Sequence, residues 1–174
     1  ITAIMKADVL ILGPGSLYTS VIVNVLVPEI KKAILASKAV KIYVCNVMAQ
    51  PGETDGYGAY EHVKAIVDHA GEQFLDYVVV NDQRVTAAQL AMYQEKGSMP
   101  VSPDVEKIRA LGIEVVANSL ISNDDFVRHN PVRLAQTIIS LVYRLRLFGK
   151  GMQFFDYFFV RQSIKNMENN KNGK

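Results

Sequence analysis

Asp8-Val-Leu-Ile-Leu-Gly-Pro-Gly-Ser-Leu-Tyr-Thr-Ser20 reads as a buried strand that runs into a glycine–proline turn and from there directly into a helix. Val9, Leu10, Ile11 and Leu12 form an unbroken apolar run, the pattern of a strand covered on both faces. Gly13 and Gly15 bracket Pro14 and leave a backbone that a second molecule can approach closely. Ser16, Thr19 and Ser20 place hydroxyls and unpaired N–H groups at the start of the following helix. Such groups and the helix dipole both favour negative charge, so the turn suits a phosphate. A plain strand-to-helix turn with a serine cap uses the same residues, and a short glycine motif does not decide between the two.

Strand-like and helix-like periods alternate outward from this stretch. Residues 21–37 read as a helix, 40–45 as a second buried strand, and 59–70 as a helix with Val63, Ile66 and Val67 on one face. Residues 77–80 are a third strand, and 86–96 a short helix with Leu90 and Tyr93 at compatible spacing. Pro103 and Asp104 open a helix that Gly112 ends, and 113–117 are a fourth strand. Asn130-Pro131 caps a longer helix striped by Leu134, Ile138, Leu141 and Val142. Repeated alternation of this kind implies parallel strands joined by right-handed crossovers, an open α/β sheet. Ligands of such sheets bind beyond the carboxyl ends of the strands. The segments there, residues 13–20, 46–60, 81–84 and 118–130, are polar and rich in asparagine, which points to one shared site.

The chain has 174 residues, 49% of them hydrophobic, enough for a substantial core in one domain. No run of eighteen apolar residues exists, so no transmembrane helix is expected. There is no signal peptide, and the first residue is Ile1, so a part of a longer protein is expected. The single cysteine, Cys45, lies in an apolar run and reads as a small core residue; a reduced, cytoplasmic setting follows. Residues 1–143 carry twelve Lys/Arg against fifteen Asp/Glu, whereas 144–174 carry seven against two. The first segment is read as the α/β domain and is not a nucleic-acid binder by composition; the second is a basic, aromatic tail that would attract an anionic partner. Within the tail, residues 154–160 read as an added element packing on the body or on another subunit, hence a homo-oligomer, or as a peripheral membrane or docking segment. Residues 166–174 are polar and expected to be disordered.

Several constellations could carry chemistry. Glu53 and Asp55, two apart in a glycine-rich loop, suit a Mg²⁺ shared with a substrate phosphate or a sugar hydroxyl, or else simply cap the next helix. Tyr57 and Tyr60 offer stacking surfaces. His62 and His69 are seven apart on one helix, which does not fit a two-histidine metal site, and both read as structural or solvent-exposed. No nucleophile elbow is present. Arg128, ahead of the last helix, suits bidentate capture of a diphosphate or a surface ion pair.

LGPGSLYTS, VCNVMAQPGETDGY, VVVN, YQEKGSMPV and FVRHNP, in that order, resemble the gluconeogenesis-factor branch of the CofD-like (2-phospho-L-lactate transferase-like) superfamily, from about Ala7 to Ser140. Members are about twice as long and open on a glycine-rich strand–turn–helix that this chain lacks, so the chain is read as a carboxyl half. The resemblance implies a Rossmann-like, three-layer, mostly parallel sheet flanked by helices. It implies a cytoplasmic protein that binds UDP-N-acetylglucosamine-type ligands and supports cell shape and cell-wall precursor supply during gluconeogenic growth. Tyr93 and Arg128 match the residues implicated in UDP-sugar binding, with Gly13, Gly15, Ser16, Thr19 and Asn46 completing a phosphate cradle. A regulatory binding protein is expected; the alternative is a Mg²⁺-dependent transferase acting on a nucleotide-activated phospho-substrate.

Overall fold

The computed structural model describes residues 1–94, 97–122 and 126–149. A short helix, α1 (Thr2–Lys6), leads into β1 (Val9–Leu12), and three further strands follow: β2 (Val40–Val44), β3 (Tyr77–Asn81) and β4 (Glu114–Asn118). All pairings are parallel and the spatial order is β1-β2-β3-β4. Each crossover therefore steps one strand in the same direction, and among the described residues β1 and β4 are the edges. This is the open parallel α/β sheet that the alternating periods predict.

Period two along the strands sorts the core. Tyr43 and Cys45 of the β2 run, Val78 and Val80 of β3 and Val115 of β4 enter one apolar cluster with Val63, Ile66, Phe74 and Ile108. Ile42, Val44 and Val79, which alternate with them, are buried as well, so the central strands are covered on both faces. Helix α4 (Ala59–Ala70) spans the residues that the sequence assigns to it, and Val63, Ile66 and Ala70 make its buried face. Its N-cap, Gly58, has no side chain to offer. The cap is assembled from elsewhere: Glu61 accepts from the Gly58 N–H at 2.8 Å, and the Ser102 carbonyl from the Ala59 N–H at 2.8 Å. Asp104, held at φ +41°, points a carboxylate at the same place, and a Cβ on Gly58 would collide with it. Only glycine fits there.

One expectation is corrected. Residues 21–37 are not a single helix. The chain leaves β1 through a π-helical stretch, Leu17–Ile22, that passes into α2 (Val23–Val25). It then breaks at Val27 and resumes as α3 (Pro28–Ala36). Pro28 is the cause: it lacks an N–H and forces the residue before it out of helical geometry, and Val27 sits at φ −74°, ψ 114°. Pro28 is itself well placed as the first residue of α3. The other two helices of this part are short, α5 (Ala87–Gln94) and α6 (Val105–Arg109), with Gly112 at φ +78° closing the turn after α6.

Ile1–Asn130 form one compact unit. A second begins at Pro131, and its described part is one helix of 19 residues, α7 (Pro131–Gly149). The aromatic run at 154–160 and the polar end at 166–174 lie outside the described residues. No described helix is long and apolar enough to cross a membrane.

Candidate functional site

Because the sheet is parallel, the segments following all four strands emerge at one end. Neighbouring parallel strands lie about 4.8 Å apart, so the exits of β1 and β4 are separated by about 14 Å. The asparagines at these exits stitch adjacent segments together. Asn46, after β2, reaches back to the β1 turn: its Oδ1 accepts from the Gly15 N–H at 3.1 Å and its Nδ2 donates to the Gly15 carbonyl at 2.8 Å. Asn81, ending β3, accepts from the Leu120 N–H at 3.0 Å, beyond β4. Asn46 therefore shapes the cradle, with both ends of its amide already engaged.

The turn itself is open on one side. Gly13 and Pro14 are exposed, neither Gly13 nor Gly15 adopts a left-handed φ, and a Cβ on Gly13 would meet no atom within 4 Å. Nothing in the described fold requires glycine at 13, so the missing side chain leaves room toward solvent. Ser16 caps the following helix, its Oγ accepting from the Thr19 N–H at 3.2 Å.

The place where a phosphate would sit on this helix start is taken by a carboxylate. Glu53, from the loop after β2, accepts from Ser16 Oγ at 2.6 Å and from the Tyr18 N–H at 2.8 Å. Burial opposes its charge, but the Ser16 hydroxyl and the Tyr18 and Thr19 N–H groups outweigh it and hold the Glu53 carboxyl below the ordinary range. The turn does favour an anion, as its sequence implies, and the anion nearest to hand is internal. Asp55 is engaged separately, accepting from the Gly52 N–H at 2.8 Å. The two carboxylates thus serve different backbone partners, and among the described residues no three His, Cys, Asp or Glu side chains come together as a metal site.

At the far end, residues 120–122 and 126–130 form a narrow ladder. The Ser122 N–H donates to the Arg128 carbonyl at 2.9 Å, and Ile121 bridges His129 in antiparallel fashion. Tyr93, from α5, is tied to this ladder: its hydroxyl accepts from the Val127 N–H at 3.0 Å. Its ring packs with Val47, Ile121 and Val127. Tyr93 and Arg128, matched in sequence only through a resemblance, thus belong to one assembly, with Tyr93 fixing the backbone next to Arg128. Arg128 is exposed, has no carboxylate partner among the described residues, and lies with its guanidinium carbon 5.4 Å from the centre of the Phe126 ring. Phe126 opens the FVRHNP stretch, in which the sequence reading singles out only Arg128. The signal is the alternation of an extended segment, which puts residues 126 and 128 on one side and the buried Val127 on the other.

Tyr57 joins the wall behind Glu53, its hydroxyl 3.0 Å from that of Tyr18 and its ring edge-on to His62. Tyr60 stands under the Lys107 ammonium. His62 is fully buried, with Nδ1 donating to the Gly58 carbonyl at 2.8 Å, which leaves Nε2 a lone-pair acceptor without a partner. Burial pulls its pKa down against the Gly58 carbonyl and the Glu61 and Glu53 charges. His69 is exposed, and its ring bonds the Ala65 carbonyl. Cys45 is buried and its thiol is pushed up to about 12, so it carries no thiolate at neutral pH.

Residues 1–121 match the family model described as 2-phospho-L-lactate transferase CofD. The chain belongs to the CofD family. Within it, the chain is 44% identical over 139 residues to the gluconeogenesis factor of Halalkalibacterium halodurans, covering 79% of this chain and 43% of that one. A Clostridium acetobutylicum relative is 40% identical over 172 residues, 98% of this chain and 38% of the relative. The crystal structure of a Bacillus halodurans protein superposes with a TM-score of 0.76 at 44% identity, over 79% of this chain and 45% of that one. This CofD-family chain spans less than half the length of these relatives.

Proposed function

We propose that this chain supplies one wall of a nucleotide-sugar site, for a UDP-N-acetylglucosamine-type ligand, in a cytoplasmic regulatory protein. In this reading the protein supports cell shape and cell-wall precursor supply on gluconeogenic carbon. The observation that carries the reading is the exposed Arg128, without a carboxylate partner among the described residues, at the same sheet end as the open Gly13–Pro14 turn. An exposed guanidinium can take a diphosphate in bidentate fashion. The span of about 14 Å between the outer strand exits suits an extended ligand rather than a single small anion. In this reading Ser16 and Thr19 help form the cradle and Asn46 holds it in shape.

Calorimetric titration of UDP-N-acetylglucosamine into the intact protein that carries this chain tests the proposal. Arg128→Ala is expected to weaken binding by about 100-fold, the cost of removing one side of a charge-assisted pair, with no loss of thermal stability. Equal binding by wild type and variant would remove this wall from the site. The transferase alternative rests on the family's description alone; it predicts nucleotide release that depends on Glu53 or Asp55.

A further inference from the structure

Phe126 is the unexplained residue of the ladder. Among the described side chains the other phenylalanine, Phe74, is wholly buried, whereas Phe126 is 49% exposed. Exposing a large apolar ring on a segment that is otherwise closely held forgoes burial that neighbouring residues obtain. The backbone under it is fixed at three points. Ser122 Oγ donates to the Phe126 carbonyl at 3.3 Å, the Ser122 N–H to the Arg128 carbonyl at 2.9 Å, and the Val127 N–H to Tyr93 at 3.0 Å. The ring and the guanidinium therefore project as a pair from a braced support, the arrangement that presents a ligand with a preset surface. A flat apolar face beside an exposed cation complements a planar aromatic group joined to an anion.

Resting on the nucleotide-sugar reading above, we propose that Phe126 is the base-stacking residue of the site, with Arg128 taking the adjoining phosphate. The ligand class is a nucleoside diphosphate, whose base stacks on the open part of the Phe126 ring or on the Phe126–Arg128 pair. Tyr93 does not fill this role. Its hydroxyl is committed to Val127 and its ring to the apolar cluster of Val47, Ile121 and Val127, so it is a positioning residue that acts through the ladder. The stacking surface thus lies two positions before the arginine.

The test is titration of UDP-N-acetylglucosamine into the intact protein and into Phe126→Leu and Phe126→Tyr. The exposed site lets both variants fold. Phe126→Leu keeps apolar bulk but loses the π face, and its affinity is expected to fall about tenfold; Phe126→Tyr keeps the face and is expected to bind as the wild type does. In the wild-type complex, uracil H5 and H6 should show nuclear Overhauser contacts to the Phe126 ring. Wild-type affinity in Phe126→Leu, or an equal loss in both variants, overturns the stacking role and leaves the nucleotide-sugar reading standing. A wild-type protein that does not bind the ligand overturns both.

Discussion

In the turn after β1, the N–H groups of Gly15, Tyr18 and Thr19 are answered from within the protein, by Asn46, Glu53 and Ser16. At the far end of the same site Phe126 stands half exposed and Arg128 has no carboxylate partner among the described residues. Both regions follow a strand end, and both carry the groups that anion binding needs. They differ in what already occupies those groups. The first is a cradle holding its own anion; the second is a braced surface whose cation meets no carboxylate among the described residues. A ligand bridging them would gain a new charge contact at Arg128 but would have to exchange with Glu53 at the turn. The two ends of the site should therefore respond in opposite ways to neutralisation of a charge.

Glu53→Gln makes the sharpest break in the comparison. Removing the internal charge weakens the hold on the Ser16 hydroxyl and the Tyr18 N–H, which a ligand phosphate can then displace, and affinity for UDP-N-acetylglucosamine is expected to rise about tenfold, the worth of about one charge-assisted hydrogen bond. Titration of the intact variant reads this directly. A fall in affinity would mean that Glu53 holds the turn in its binding shape rather than competing for it. The two ends would then no longer be opposites.

Acid should sharpen the comparison next, because one end has a buried histidine and the other a half-buried one. Burial lowers the pKa of His62, beside the Glu53 loop, and of His129, in the ladder. A depressed histidine binds its proton more readily in the unfolded chain, so its contribution is complete above the ordinary value of 6.5 and is lost as pH falls below it. The Glu53 carboxyl is also depressed, and its contribution is present above its ordinary value of 4.5 and lost at lower pH. Urea unfolding from pH 8 to pH 4 should show stability falling first below about pH 6.5, with a slope of at most about 1.4 kcal/mol per pH unit for each histidine. His62→Leu and His129→Leu should each flatten that first stage, and a second decline below about pH 4.5 should vanish only in Glu53→Gln. A first stage that survives both histidine changes would place the titrating group elsewhere.

The fold was largely legible in sequence because its signals are local. The apolar runs at 9–12, 40–45 and 77–80 and the face of α4 declare themselves within a few residues. The break at Pro28 was equally local, and proline chemistry places it at Val27 without any structure. The site was legible only as a location. The Asn-rich strand ends point to one end of the sheet, but Asn46 and Asn81 bond neighbouring segments, and no spacing reveals a partner 31 or 39 residues away. Glu53 reads as a metal or capping candidate because its acceptors look unpaired in a loop; its contacts with Ser16 and Tyr18, 37 and 35 residues distant, exist only once β1 and β2 are adjacent. Phe126 lies between these cases, since the alternation of Phe126, Val127 and Arg128 already separates one inward residue from two outward ones.

The smallest effect is expected at Tyr93, where α5 meets the ladder. If its part is to brace the ladder, Tyr93→Phe deletes one acceptor and leaves the ring in place. The Val127 N–H then loses its partner in a buried setting, at a cost of about 1 kcal/mol, and its amide hydrogen should exchange faster while those of β2 and β3 do not. Ligand affinity should fall only as far as Arg128 and Phe126 are loosened, well short of the loss in Arg128→Ala. Tyr93→Ala should do more, because it also empties the space beside Val47 and Ile121. A Tyr93→Phe protein with native exchange at Val127 but impaired binding would assign the hydroxyl to the ligand instead. In that event the braced surface would extend to α5, and the far end would contain a hydrogen-bonding group beside its stacking pair.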